Sequence, residues 1–366
     1  MLVALEQRTE ETRIEDHRAR IVPGVMRSTT RAGPRRRPSA LRPAVSIVYT
    51  THRQQPLFHW FVDGLVRQLD DDDHVQLVMV DGLANDARRA TFEETVDGRF
   101  ELVYAAAKPT AFNGPFQRTA RPLFAAASAR NTGIVYASHA YIAFVDDCIV
   151  PMPGWWGAVR EAARHQYVVA GAFQRHSDMC VSNGVLRTSR LLASGRDTRW
   201  ALGDDRRVVP IAGGQLYTMS MGAPRHVLVE VNGFDELCDG IGGEDYQVGI
   251  RLELAGHLVF YSRTMMTVES EDHQAEDPVQ LERVDPVLDE ARYHDRLATL
   301  GVSCRPTAGQ RCDASHMVLD LVHGLGASRA VGNHYDLAAL KPADLPSTSQ
   351  GLPTTFWFDG RRLSEL

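Results

Sequence analysis

Apolar positions along the chain fall into short runs separated by polar turns, and order begins at Val45-Ser46-Ile47-Val48-Tyr49-Thr50, which predicts a buried strand. Leu57, Phe61, Leu65 and Leu69 then recur at every fourth position and mark one face of a helix. A second strand is predicted over Val75 to Val80, running into Asp81-Gly82, and a third over Phe100 to Tyr104. Pro122 to Ser138 reads as a helix with proline in its first turn and an alanine-rich body, followed by the strand Tyr141 to Val145. The second half is more mixed. Strands are expected at Val168 to Phe173 and Leu258 to Ser262, and a helix at Glu244 to Ala255 with Val248, Leu252 and Ala255 on one face.

Strands alternating with helices imply an α/β fold whose central sheet is mostly parallel, flanked by helices and joined by right-handed crossovers. Ligands bind such sheets at the carboxyl ends of the strands. Thr51, Asp81 and the pair Asp146-Asp147 all stand at such ends, so three segments converge on one expected cleft. Residues 1–42 carry Pro and Arg clusters, including Arg35-Arg36-Arg37, without apolar periodicity, and are expected to form a disordered arm. Residues 43–150 and 151–275 are expected to be two halves of a single catalytic domain around one sheet. Residues 276–366 form an extension with few clear patterns and no assigned role. The four-residue run Asp70 to Asp73 is expected to be a solvated turn.

Hydrophobic content of 44% and charged content of 23% fit a soluble globular protein, and a net charge of −6 gives no reason to propose nucleic acid as a partner. The cysteines at 148, 180, 238, 304 and 312 are odd in number and form no CxxC pair, so reduced thiols are expected. The N-terminus turns charged at Glu6, unlike a signal peptide, and Gly133 to Val145 is too short to cross a bilayer. A cytoplasmic protein without a transmembrane segment is the resulting expectation.

Two acidic pairs carry the candidate chemistry: Asp146-Asp147 after an apolar strand, and Glu244-Asp245 at a helix start behind Gly242-Gly243. A divalent cation held by carboxylates can neutralise a charged leaving group, and a second carboxylate can take a proton from an acceptor hydroxyl. The macrodipole at the helix N-terminus favours an ionised Asp245. An acidic first turn alone is an ordinary helix cap; its glycine context and the other motifs favour the catalytic reading.

The series Ser46 to Arg53, Val80-Asp81-Gly82, Ala129-Arg130-Asn131-Thr132-Gly133-Ile134, Phe144 to Cys148, Gly233-Phe234-Asp235-Glu236 and Gly242 to Gly256 resembles an inverting family 2 glycosyltransferase of the GT-A (Rossmann-like) fold. The resemblance covers residues 44 to 275. It implies a nucleotide-sugar-binding first half and an acceptor-binding, catalytic second half. Thr51, Arg53 and Asp81 would hold the nucleotide base, and Arg130 the diphosphate or donor sugar. Asp146 and Asp147 would hold the ribose and a Mn2+ or Mg2+ ion. Asp245 would be the general base, with Glu244 beside it on sugar hydroxyls, and Gly213 and Gly214 would lie near the donor sugar. His273 stands where relatives often carry a metal-binding histidine, with Glu271 and Asp272 as substitutes. Cys148 departs from the family, which usually places a metal-binding Asp there, and a thiol is a poor ligand for Mg2+. Trp155 and Trp156 are expected either to line an acceptor cleft or to pack a helix on the sheet, the latter for at least one of them. UDP is the favoured carrier, and the acceptor is a hydroxyl on a glycan, lipid carrier, protein or small molecule. Two rivals stand beside this reading: a nucleotidyltransferase, although the Thr51-His52-Arg53-Gln54 segment lacks the expected Gly-rich basic loop, and a degenerate nucleotide-sugar or glycan-binding protein.

Overall fold

Continuous apolar runs become strands buried on both faces. In the computed structural model, β1 (Val45–Thr51) is buried along its whole length, and Ile47 and Val48 point into different cores on opposite sides of the sheet. The structure describes residues 42–108, 124–203, 207–239, 243–275, 328–330, 333 and 335–345, with the backbone of 357–358 and 361–362. After β1 come α1 (Phe58–Val66), β2 (Val75–Asp81), α2 (Asp86–Val96), β3 (Glu101–Ala106), α3 (Ala126–Tyr136), β4 (Tyr141–Val145), β5 (Ile149–Pro151) and α4 (Trp155–His165). The second half adds β6 (Val168–Ser182), β7 (Val185–Arg196), β8 (Val209–Ile211), β9 (Ser220–Pro224), α5 (Arg225–Glu230), α6 (Glu244–Leu254), β10 (Val259–Ser270) and α7 (Asp272–Ala275).

One sheet holds β1 to β10, in the order β3-β2-β1-β4-β9-β6-β10-β5, with β7 beside β6 and β8 beside β10. The strands β1, β2, β3, β4, β6 and β10 run one way, and β5, β7, β8 and β9 run against them. The α/β class and the mostly parallel sheet between helices are therefore as expected. Strands from residues 43–150 and from residues 151–275 lie in this one sheet. Helices α1, α2 and α4 cover one face through Phe61, Phe92 and Trp155; α3, α5 and α6 cover the other through Ile134, Leu228 and Val248. Among the described residues no helix is long and apolar enough to cross a membrane.

Several elements differ from the sequence reading. Helix α1 starts one residue later, because Leu57 has a left-handed backbone with φ 52°. Pro122 lies outside the described residues, as do most of the arm, Gly242, Cys304 and Cys312. Strand β6 continues to Ser182 and turns through Asn183 and Gly184, at φ 49° and 67°, into β7. Two positive-φ residues in sequence are what a tight hairpin demands. A Cβ on Gly184 would lie 2.0 Å from the Gly64 nitrogen, so the hairpin tip rests directly on the α1 backbone. Asp73 is no solvated turn residue: its side chain is 0% exposed and accepts from Trp156 Nε1 at 2.6 Å and Arg160 Nη1 at 3.1 Å.

Part of the C-terminal extension packs into the core. Leu337 and Leu345 join the cluster that holds Val48 and Phe144. The backbone of this segment is pinned to the loop after α5: Ala330 N donates to Val231 O at 2.9 Å, and Leu337 N to Asn232 Oδ1 at 2.7 Å.

Candidate functional site

Asp146 and Asp147 leave the carboxyl end of β4, and Glu244 and Asp245 open α6. One side chain ties the pairs together. Arg130, from α3 and almost wholly buried, donates through Nη2 to Asp146 Oδ1 at 2.8 Å and through Nη1 to Glu244 Oε1 at 2.5 Å. Its guanidinium lies 5.7 Å from the centre of the Phe234 ring, which closes its other side. Burial works against its charge, but Asp146, Glu244 and Asp245 outweigh burial and hold the guanidinium well above its ordinary pKa. A fixed positive charge thus sits between two acidic segments at the carboxyl edge of the sheet.

Asp147 turns the other way. Its Oδ2 accepts from Thr51 Oγ1 at 2.7 Å and its Oδ1 from Arg53 Nε at 2.9 Å, while Arg53 Nη1 reaches His273 O at 2.9 Å. Burial pushes the Asp147 carboxyl up, against the pull of Arg53. Thr51, Arg53 and Asp147 therefore form one buried group joining the ends of β1 and β4. Asp81 closes the neighbouring wall with every acceptor position used: Leu83 N and Arg88 Nη2 on Oδ1, Arg88 Nε and Tyr104 OH on Oδ2. As placed, this carboxylate braces the loop after β2. A nucleobase would have to displace one of those donors to reach it.

Asp245 is half-buried, and its Oδ1 accepts from Tyr246 N at 2.7 Å. Burial, then the neighbouring Glu244 carboxylate, push it up to about 7, with Arg130 pulling the other way. The expectation of a firmly ionised Asp245 is thereby corrected, since desolvation and a like charge outweigh the helix terminus here. A carboxylate near 7 is matched to taking and releasing a proton at neutral pH. The sequence reading missed Glu269, at the carboxyl end of β10. It is buried, paired with Arg175 at 3.0 Å, and pushed up to about 7 by burial and by the charges of Asp146 and Asp147. A carboxylate directly after the strand-like run Met265-Met266-Thr267-Val268 was the available signal.

The expected metal ligands do not assemble. Among the described residues no three His, Cys, Asp or Glu side chains are placed to hold a metal ion. Asp147 is engaged by Thr51 and Arg53, and Arg130 stands on Asp146. His273 Nδ1 bonds Ser270 Oγ at 2.8 Å with its ring edge-on to Trp60, and Asp272 accepts from Asp178 N at 2.6 Å. Cys148 is fully buried, at φ 55°, with its thiol 3.8 Å from Gln55 O. Hard divalent cations need several open carboxylate oxygens on one centre, so this donor arrangement does not fit one.

Gly213 and Gly214 have a packing task. A Cβ on Gly213 would lie 2.2 Å from Gly249 O, and one on Gly214 2.5 Å from the Tyr246 ring, so the two glycines seat a turn against α6 directly behind Asp245. Trp155 and Trp156 are both fully buried; Trp155 Nε1 donates to Ser220 Oγ at 3.0 Å and its ring meets Phe61 edge-on. Neither lines an acceptor cleft.

No family model and no curated protein sequence matches this chain. Solved structures similar to it include GalNAc-T7 with UDP, GalNAc and Mn2+, at 11% identity and a TM-score of 0.47, covering 77% of this chain and 48% of that one. TarS of S. aureus follows at 13% identity and 0.46, covering 77% and 43%, and its 1–349 fragment at 12% and 0.42, covering 60% of each chain. The chain spans less than half the length of the first two. All three scores fall below one half.

Proposed function

We propose that this protein transfers a sugar from a nucleotide-diphospho sugar, with UDP-sugar favoured, to a hydroxyl acceptor, with inversion at the anomeric carbon. The observation that carries this reading is Arg130 joining Asp146 and Glu244 across the carboxyl edge of the sheet, beside Asp245. The motif series running from Ser46 to Gly256 supports it. The donor lies along the ends of β1, β2 and β4, with Thr51, Arg53 and Asp81 shaping the base end and Asp146 at the ribose. Arg130 faces the diphosphate, where a guanidinium can meet phosphate oxygens with paired hydrogen bonds. Asp245 takes the proton from the acceptor hydroxyl as it attacks the anomeric carbon from the side opposite the leaving diphosphate, and Glu244 holds sugar hydroxyls. The donor set around Asp146 and Asp147 fits neither Mn2+ nor Mg2+, and the Arg130 guanidinium faces the charge of the leaving diphosphate.

The test is product analysis on a panel of UDP-, GDP- and TDP-sugars with hydroxyl acceptors, reading the released nucleotide and the anomeric configuration of the product. A nucleoside diphosphate and an inverted product are expected. Pyrophosphate release would replace this reading with nucleotidyl transfer. The Asp245→Asn variant should lose transfer by about 100-fold or more while keeping its nucleotide affinity, the scale typical of a lost general base. Normal turnover in that variant would remove Asp245 from the mechanism. A second reading, a binding protein without turnover, draws on Cys148 at the family's metal position; it predicts nucleotide-sugar binding with no product on any acceptor.

A further inference from the structure

Outside the site lies a second, largely buried polar cluster, formed by Lys108, Asn131, Glu236 and Tyr335. Lys108 Nζ donates to Glu236 Oε2 at 2.5 Å and lies 5.2 Å from the Tyr335 ring centre. The Tyr335 hydroxyl donates to Glu236 Oε1 and accepts from Asn131 Nδ2 at 3.1 Å. Asn131 also bonds Glu236 Oε1 at 3.0 Å, Phe234 O at 2.8 Å and, through Oδ1, Phe234 N at 2.8 Å. Asn333 completes the grip, donating to Asn232 O at 2.6 Å and Phe234 O at 2.9 Å and accepting from Glu236 N at 3.1 Å.

These contacts have an address in the site. Asn131 is the neighbour of Arg130 on α3, and Phe234 supplies the ring beneath the Arg130 guanidinium. Further along the same loop, Asp239 Oδ1 accepts from Ala127 N at 2.8 Å at the start of α3. The loop then leads to Gly243 and the first residues of α6, Glu244 and Asp245. Helices α3 and α6 carry the two halves of the site, and the loop after α5, which bonds Asn131 and Ala127 of α3, is clamped by a segment from the C-terminal extension. A buried, fully bonded network of this kind holds one geometry, because breaking any bond strands a polar group.

We propose that Asn333 and Tyr335 act as a positioning strap, two positioning residues that hold α3 and the start of α6 in the register where Arg130 meets Glu244. The strap touches no reacting atom. Its kinetic consequence rests on the function proposed above; its mechanical consequence does not.

The experiment uses the full chain with Tyr335→Phe, and Lys341→Ala as a control at an exposed position of the same extension. Hydrogen-exchange mass spectrometry compares peptides from Ala126–Tyr136, Glu244–Leu254 and Phe58–Val66. Tyr335→Phe should speed exchange about tenfold in the first two and leave the third unchanged. The α6 peptide decides, because Tyr335 bonds α3 and the loop but not α6. Unchanged α6 exchange, or equal acceleration of all three peptides, overturns the strap. Kinetically, kcat should fall about ten- to a hundredfold with donor affinity within about twofold, the size expected when reacting groups shift by about 1 Å. An equal kcat in the variant also overturns it. If Tyr335→Phe does not fold, Asn333→Ala is read in the same way. A wild-type chain that transfers no sugar removes the function proposed above and leaves the exchange result to decide the strap.

Discussion

The half-buried acid at 245 should make its own neutralisation visible as stability. An ordinary Asp titrates near 3.9, whereas Asp245 is pushed up to about 7 by burial and by Glu244. A carboxyl whose folded pKa is raised favours the folded state fully below the unfolded value and loses that advantage as pH rises through the folded value. For Asp245 the window therefore opens near pH 4 and closes near pH 7. The full shift of about three units corresponds to about 4 kcal/mol, more than half of it between pH 5 and pH 8. Asp245 is half-buried, so water relaxes part of that cost, and about 1 kcal/mol is the expected change. Asn at this position carries no charge at either pH. Asp245→Asn should therefore gain stability over the wild type as pH rises from 5 to 8, by about 1 kcal/mol, which is about 2–4 °C in Tm for a domain of this order of size. Differential scanning calorimetry of both proteins at the two pH values reads it directly. A difference that stays constant, or that shifts in favour of the wild type at pH 8, refutes the claim that burial raises Asp245.

Two further outcomes follow from the geometry. Gly184→Ala should destabilise the fold by about 1–3 kcal/mol in urea unfolding, because it adds a side chain at φ 67° and drives its Cβ to 2.0 Å from Gly64 N; an unchanged midpoint would mean that the hairpin tip does not rest on α1. Mn2+ titrated into the protein without nucleotide, followed by electron paramagnetic resonance, should find no tight site, since Thr51, Arg53 and Arg130 already engage Asp147 and Asp146; a micromolar site would show that those pairs open for the ion.

The strands nearest the site were legible because each is buried on both faces and so reads as a mostly apolar run, interrupted by Ser46 in β1 and Gln76 in β2 and unbroken in Tyr141–Val145, which is bounded as predicted. Helix α2 was illegible: only Phe92 and Val96 are buried, and the rest of its surface is polar, so no apolar stripe marks it. The β6–β7 hairpin did carry a signal in Asn183-Gly184, but the strand beyond Phe173 is half exposed and breaks the apolar pattern. Within the site, the two acidic pairs could be read from their positions at a strand end and a helix start. What they bond could not. Asp81 is saturated by partners from α2, β3 and its own loop, and Asp147 by partners from the end of β1. Such partnerships depend on which elements become neighbours in space, and residue type alone does not encode that. Glu269 was missed for the same reason, since its environment is made by β4 and β6 rather than by its own strand.

The docking of Leu337 and Tyr335 into the first-formed part of the sheet also sets a clock on synthesis. Asn131 and Tyr335 are 204 positions apart, so at about 5–20 residues per second the hydroxyl that Asn131 bonds emerges about 10–40 s after it. During that interval the core around Val48 and Phe144 lacks Leu337 and Leu345, and Glu236 lacks its phenol. The nascent chain thus carries an unfinished apolar surface until late in translation, and slowing of elongation between residues 240 and 335 should increase its capture by chaperones.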